Sequence, residues 1–347
     1  MTRKKQDVNI YRIAEEAGVS IATISRVINR RAGVSEATRS RITELLNHYA
    51  FTPDYPIQRA PKLAILVPWD DISEYFRRAI KGICRSAREN KLETSIIIKN
   101  DASEDNLLQQ IRDQQCNGVI VALGDEFKFA RRELAATELP CVFLDARPET
   151  DKLGYVDNDS YSGSLAAARH LISLGHRCIG YLRYGDNGVD NHRRRYLGYC
   201  DAMREAGLEI RSGWVIDSAL EQTHGSQGLA GRNSMRRLLD QAPELTAVMA
   251  VDDLMAMGAM TTIYQAGLRI PDDISLTGFD NMAGTENWFP ALTTVDHPLE
   301  QAGRLAADAI ASAIKSPGGM ILPHLTLPTK LIIRASTGPG PKQKIAT

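Results

Sequence analysis

Between Ile10 and Asn29 the chain reads IYRIAEEAGVSIATISRVIN, and the second half of that stretch holds side chains suited to a nucleic-acid duplex. Arg26 carries a fork of donors that matches guanine O6 and N7, and Ile21 and Ala22 offer apolar surface for base edges and thymine methyls. Ser20, Thr23, Ser25 and Asn29, with Ser35 further on, carry hydroxyl or amide groups of the kind that hold phosphate oxygens. That chemistry needs one helix with a small outward face and another to brace it. Ile10, Ile13, Ala14 and Ala17 stand at i, i+3, i+4 and i+7, one face of a helix. Gly18 ends that helix, Val19 packs the turn, and Ser20 caps a second helix whose Ile24, Val27 and Ile28 point inward. Such a helix-turn-helix lays its second helix in the DNA major groove. The spacing alone also allows an amphipathic hairpin of an unrelated helical bundle.

The neighbouring residues favour a small domain. Asn9 suits the cap of the first helix, and Ser35 opens a third in which Ile42, Leu45, Leu46 and Tyr49 repeat the same spacing. The 42 basic and 42 acidic residues of the chain balance, but residues 1–62 hold 11 Lys/Arg against 6 Asp/Glu while the remainder holds 31 against 36. A basic head on an acidic body suits a polyanion-binding module joined to one that does not bind polyanions. At 347 residues the chain exceeds one small core. We divide it into a helix-turn-helix domain (1–52), a proline-rich linker (53–62), a two-lobed body (63–337) that binds effector and dimerises, and a tail (338–347). Prolines 53, 56 and 61 make the linker an extended tether, because each removes a backbone donor and restricts the residue before it.

The stretches IAEEAGVSIATISRVIN (13 to 29) and VSEATRSRI (34 to 42) densely resemble the LacI/GalR family of bacterial transcription regulators. Further on, LISLGHR (171 to 177), IPDDISLTGFD (270 to 280), LTTV (292 to 295) and RAST (334 to 337) resemble the family's periplasmic-binding-protein-like body. The resemblance implies a homodimeric repressor that binds a double-stranded DNA operator and answers to a small-molecule effector. It also implies that Ser20, Thr23, Ser25, Asn29 and Ser35 hold phosphates. The linker departs from the family pattern, where a short hinge helix inserts a leucine pair into the minor groove and kinks the DNA. Pro53 matches, but the helix-forming residues are missing, the link is shorter, and Ile57 after Pro56 is the one obvious wedge. Intercalation of a wedge accompanies bending, so we expect weaker coupling between body and DNA here; a merely diverged hinge is the alternative.

From Leu63 onward, apolar runs alternate with helical patterns: LAILVP (63–68), TSIII (94–98), GVIVAL (118–123), CVFLD (141–145), CIGYL (178–182), AVMAVD (247–252) and ISLTGFD (274–280). Helices are expected over 75–90, 103–115, 162–174, 196–206, 234–241 and 254–266, with terminal glycines at 175, 207 and 267. Such alternation describes α/β lobes with parallel sheets, dividing near Asp157 to Asp159, with a ligand cleft at the strands' C-terminal ends. Tyr75 and Phe76 follow the first strand, where they would either stack on a ring or belong to the core. Arg195 matches the family's ligand arginine, and its fork suits hydroxyl or carboxylate oxygens. Asp252 and Asp280 end strands and match family positions that accept from ligand hydroxyls; helix capping is their other reading. Asp159 and Trp288 are further candidates. Aromatic faces, carboxylates and an arginine in a cleft suit a polyhydroxylated, sugar-like ligand.

Enzyme patterns are missing from the sequence. It has no G-x-S-x-G elbow and no G-x-x-x-x-G-K-[ST] loop, and Gly225, Gly228 and Gly231 have the wrong spacing for a dinucleotide fingerprint. The cysteines at 84, 116, 141, 178 and 200 form no C-x-x-C pair, so no zinc site, metal or cofactor is expected, and an odd count suits a reducing compartment. No secretory or membrane-spanning run is present, and a cytoplasmic location is expected. His176, after Gly175, reads as structural. Two other classes stay open: a cytoplasmic sugar-binding protein with impaired DNA binding, and an α/β enzyme.

Overall fold

The computed structural model describes residues 10–28, 33–49, 51, 60–68, 74–98, 106–122, 127, 130–184, 189–218, 227–316 and 322–341, with Glu74 and Tyr75 described as backbone only. The chain divides into two compact units, residues 1–61 and 62–347. Asn9, Asn29, linker residues 52–59 and the end from 342 lie outside the described residues, so the expected N-cap, the tether and the wedge Ile57 fall there.

In the first unit, α1 (Ile10–Glu16), α2 (Ile21–Ile28) and α3 (Glu36–His48) enclose a core of Ile13, Ala14, Ala17, Ile24, Val27 and Ile42. Gly18 takes a left-handed φ of +62°, which lets the Val19 amide turn back to the Ala14 carbonyl at 3.0 Å. Ser35 caps α3 by accepting from the Thr38 amide at 3.3 Å. Arg41 donates to the Ala17 carbonyl at 2.6 Å, giving the end of α1 one of its missing partners. With so small a core, these polar ties add to what its apolar burial supplies.

The second unit has two lobes. In the first lobe, β1 (Lys62–Val67), α4 (Glu74–Glu89), β2 (Glu93–Ile98), α5 (Leu107–Asp113), β3 (Gly118–Val121), α6 (Ala130–Ala135), β4 (Cys141–Leu144) and β5 (Gly154–Asn158) follow one another. In the second, α7 (Ser160–Ser173), β6 (Ile179–Tyr184), α8 (Asp190–Glu205), β7 (Val215–Ser218), α9 (Gln227–Gln241), β8 (Ala247–Ala250), α10 (Asp253–Gln265) and β9 (Ser275–Thr277) repeat the pattern. The chain then crosses through β10 (Thr294–Asp296) to α11 (Leu299–Lys315) and β11 (His324–Leu327), and returns at β12 (Lys330–Ile332). Among the described residues, one parallel sheet runs β11-β5-β4-β3-β1-β2 and another β7-β6-β8-β9, while β10 and β12 pair antiparallel. Apolar β1 and β3 are buried on both faces, as strands covered by helices must be.

The crossing from β5 to α7 passes through Asp159, within the expected division at 157–159. Helix α8 begins at Asp190 rather than Tyr196, and α9 at Gln227 rather than Ser234. Strands β5, β7 and β11 were not expected: GYVDN, VIDS and HLTL carry too many polar residues to read as strands. Residues 338–341, assigned by sequence to the tail, are instead held on the body. The Gly338 amide donates to Ser275 Oγ at 3.0 Å and the Gly340 amide to the Leu174 carbonyl at 2.8 Å. His176 is structural, its ring nitrogens at 2.9 Å from Thr246 Oγ1 and 3.0 Å from Ser275 Oγ.

Candidate functional site

Two surfaces collect the candidate residues. On α2, Ile24 and Val27 face the core, which leaves Ile21, Ala22 and Arg26 exposed and Ser25 half-buried. Ser20 precedes the helix and accepts from the Thr23 amide at 3.2 Å, while the two hydroxyls lie 3.0 Å apart. This cap sets the start of α2 and holds both hydroxyls at the helix N-terminus, where the partial positive charge of the backbone suits phosphate. Ser35 repeats the device at α3, its hydroxyl 2.8 Å from that of Thr38. Asn29 lies outside the described residues.

The second surface forms in the body at the C-terminal ends of β4, β8 and β9. Arg195, on α8, is only 4% exposed. It donates through Nη1 to the Val251 carbonyl at 2.7 Å and through Nη2 to Asp280 Oδ1 at 2.9 Å, and its guanidinium stacks 3.8 Å from the centre of the Phe279 ring. Its Nε is buried with no hydrogen-bond partner among the described residues. His297 Nε2 stands 3.3 Å from the same carboxylate oxygen of Asp280. Burial pushes the Asp280 carboxyl up, but Arg195 and then His297 outweigh it, so its pKa is lowered. Asp280 is thus a carboxylate at neutral pH.

Asp252 caps α10, accepting from the Met255 amide at 2.7 Å, and its other oxygen accepts from the Tyr184 hydroxyl at 2.8 Å. Burial, and then the neighbouring Asp280 charge, push its carboxyl up to about 6. The next residue, Asp253, is tied to Thr294 Oγ1 at 2.6 Å and the Met282 amide at 2.8 Å, and it too is raised by burial and Asp280.

Several partners were not named from the sequence. Asp145, at the end of β4, accepts from Asn158 Nδ2, and its backbone carbonyl accepts from Asn191 Nδ2 of the second lobe at 3.0 Å. Burial pushes its carboxyl up to about 6, against the opposing pull of the His297 and Arg195 charges. Arg194 reaches from α8 to Asp157 Oδ2 at 2.7 Å, and Arg147 meets the same oxygen at 2.6 Å. His192 packs near Tyr184, with ring centres 5.3 Å apart, and burial followed by the Arg195 charge lowers its pKa to about 3. The sequence did carry a signal for Asp145, since it ends an apolar run as Asp252 and Asp280 do. Asn191 and His192 were hidden because the helix was expected to start only at Tyr196.

The remaining candidates do not join this cluster. Phe76 is 1% exposed and packs with Leu63, Ile65, Ala79 and Ile83 in the first lobe's core, so the expected exposed stacking face is corrected to a core aromatic. Tyr75 stands in the first turn of α4, its side chain outside the described residues. Asp159 caps α7, accepting from the Ser162 amide at 3.0 Å. Trp288 follows the short 3-10 turn Thr285–Asn287 and packs half-buried against the second lobe's core; the hydrogen bonds joining Arg195, Asp252 and Asp280 do not include it.

Among the described residues, no helix is long and apolar enough to cross a membrane, and no group of three His, Cys, Asp or Glu residues could hold a metal ion. Residues 9–54 match the pattern of bacterial regulatory proteins of the lacI family, and residues 168–337 match the periplasmic binding protein-like domain. The HTH-type transcriptional regulator DegA of Bacillus subtilis is 31% identical over 345 residues, covering 95% of this chain and 98% of the relative. The chain belongs to the lacI family of bacterial regulatory proteins. Regulators of this family are not enzymes. A solved complex of the transcriptional regulator CelR with cellobiose is 26% identical, with a TM-score of 0.68, 95% of this chain and 99% of that one being covered. A LacI family regulator from Enterococcus faecium with bound ribose is also 26% identical, with a TM-score of 0.69 and coverage of 81% and 100%.

Proposed function

We propose that this lacI-family chain is a sequence-specific DNA-binding transcription regulator controlled by a small polyhydroxylated effector, such as a sugar, bound between its lobes. The effector site centres on Arg195, Asp252 and Asp280, with Asp145 contributed by the first lobe. The observation that carries the reading is the Arg195 guanidinium, buried and paired with Asp280 yet keeping an Nε without a hydrogen-bond partner among the described residues, with its charge felt by the buried carboxyls of Asp145 and Asp252. A buried donor in the same cluster as carboxyls raised to about 6 matches a ligand whose hydroxyls both donate and accept. Cellobiose in CelR and ribose in the Enterococcus faecium regulator are ligands of that chemistry.

On the DNA side, Arg26, Ile21 and Ala22 read base edges, while Ser20, Thr23, Ser25, Asn29 and Ser35 hold phosphates. One headpiece reads one half-site, so a homodimer on a near-palindrome follows. Effector binding changes the lobe angle and hence the affinity for DNA, a coupling typically worth about 1–3 kcal/mol.

The test is selection of sites from a random DNA pool by the purified protein at one stated salt concentration, repeated with a panel of sugars and nucleosides. A near-palindrome whose recovery changes with one sugar supports the reading. A folded dimer that enriches no sequence under any condition, yet binds a sugar, replaces it with a sugar-binding protein whose DNA binding is impaired.

A further inference from the structure

Arg78 lies on α4 in the first lobe, but its hydrogen bonds land on the second lobe and the crossing strand. Nη1 donates to the Asp280 carbonyl at 3.0 Å and the Asn281 carbonyl at 3.5 Å, while Nη2 donates to Asp296 Oδ1 at 2.9 Å and the His297 carbonyl at 3.2 Å. The helix that presents it is held closely. One turn on, a Cβ at Gly82 would collide with the Glu300 carbonyl of α11, so α4 sits flush on the helix that follows the crossing.

The segment Arg78 grips is conformationally unusual. Asp280 and Asn281 hold φ of +106° and +48°, a region that residues with a Cβ rarely adopt and that persists only when surrounding contacts enforce it. From the second lobe, the Asp280 amide is held by the Val295 carbonyl at 2.9 Å, the Met282 amide by Asp253 at 2.8 Å, and the Asn281 side chain by Arg334 at 2.7 Å. From the first lobe, Arg78 grips the same segment. The side chain of the same Asp280 is the carboxylate that pairs with Arg195.

We propose that Arg78 is a positioning residue that ties the first lobe to the Asp280 carboxylate. Its planar fork divides between two backbone carbonyls on one side and a carboxylate and a third carbonyl on the other, a pattern that a lysine ammonium cannot reproduce. When the lobes swing apart, the fork leaves those carbonyls, the left-handed backbone at Asp280 relaxes, and the Arg195–Asp280 pair loosens. Lobe angle and the cleft's central ion pair therefore change together. This rests on the effector reading only for what the coupling serves.

Amide hydrogen exchange of the full-length protein, without effector, tests it on R78A and R78K. The expected result is exchange at least about tenfold faster across 278–282, larger for R78A than for R78K, with β8 (Ala247–Ala250) unchanged as the sign that the second lobe remains folded. Unchanged exchange across 278–282 in both variants overturns the proposal, as does acceleration confined to α4 and β1, which marks a packing role within the first lobe. R78K keeps the charge and the stem, so a folding failure of R78A leaves the test intact. Because no effector enters, its failure leaves the effector reading standing, and an effector panel without a response leaves the Arg78 link standing.

Discussion

Arg26 on the headpiece and Arg195 in the body use the same side chain under opposite conditions. Arg26 is exposed on α2, where water solvates its charge and the fold asks nothing of it. Arg195 is 4% exposed, so its charge is tolerable only because Asp280, the Val251 carbonyl and the Phe279 ring receive it. Removing a charge from water is expensive, and a buried pair broken on one side leaves the other member uncompensated. On the proposed assignment, the headpiece can vary its reading surface at little cost in stability, whereas the proposed effector-binding groups are also part of what holds the body together.

Substitutions should separate the two cases. Arg195→Ala strands the Asp280 carboxylate and should cost the body about 3–5 kcal/mol in denaturant unfolding; a loss under about 1 kcal/mol would mean that His297 alone satisfies Asp280 and would erase the contrast. Ile42→Ala removes a fully buried side chain from the headpiece's small core, and a cost of about 2–5 kcal/mol is expected. In the full-length protein it should abolish DNA binding and amide protection in α1 to α3 while the body's unfolding midpoint stays in place.

Arg26→Ala should change stability by no more than about 0.5 kcal/mol. On the selected site it should lose about 1–3 kcal/mol of affinity and relax specificity at one position. Equal losses on selected and random DNA would reassign Arg26 from base to phosphate.

The smallest effect is a pH dependence confined to the body. Asp145 and Asp252 are pushed from 3.8 up to about 6, so between those values the folded body binds more protons than the unfolded chain. Stability that these groups contribute below pH 3.8 is lost as pH rises through 6. Asp280, lowered from 3.8, acts in the opposite sense, and its contribution is lost only as pH falls below that value. Unfolding midpoints at pH 5 and pH 7 should therefore show a less stable body at pH 7, with headpiece amide protection, corrected for the intrinsic pH dependence of exchange, unaffected. A ligand whose hydroxyls donate to these two carboxyls should release protons on binding near pH 6, which calorimetry in buffers of different ionisation enthalpy measures.

How much could be read in advance depends on whether the decisive contacts are local. The headpiece surface was legible because Ser20, Ile21, Ala22 and Arg26 lie on one turn or two of a single helix, whose buried face is set by Ile24 and Val27. Arg195 was singled out by its match to the family's ligand arginine, and Asp252 and Asp280 by closing apolar runs at matching family positions. Phe76 misled because an aromatic after a strand can face ligand or core, yet Phe76, Ala79, Ile83 and Ala87, all buried, already trace a helical stripe. Strand β5 was invisible because its Asp157 and Asn158 are buried polar residues, acceptable only through Arg147, Arg194, Asp145 and Ser160.

By itself the sequence determined the helix-turn-helix, the alternation of strands and helices, the division near Asp157 to Asp159 and the family, because each rests on periodicity or on adjacent residues. Only the tertiary structure decided which charges meet. Arg195 and Asp280 stand 85 positions apart and Arg78 and Asp280 202 apart. No local pattern encodes such pairings, since they arise when crossing strands and flush helix packing bring separate strand ends to one place. The physical reason is burial: a side chain excluded from water must find its partner wherever the fold supplies one, and that choice is made by the whole chain at once.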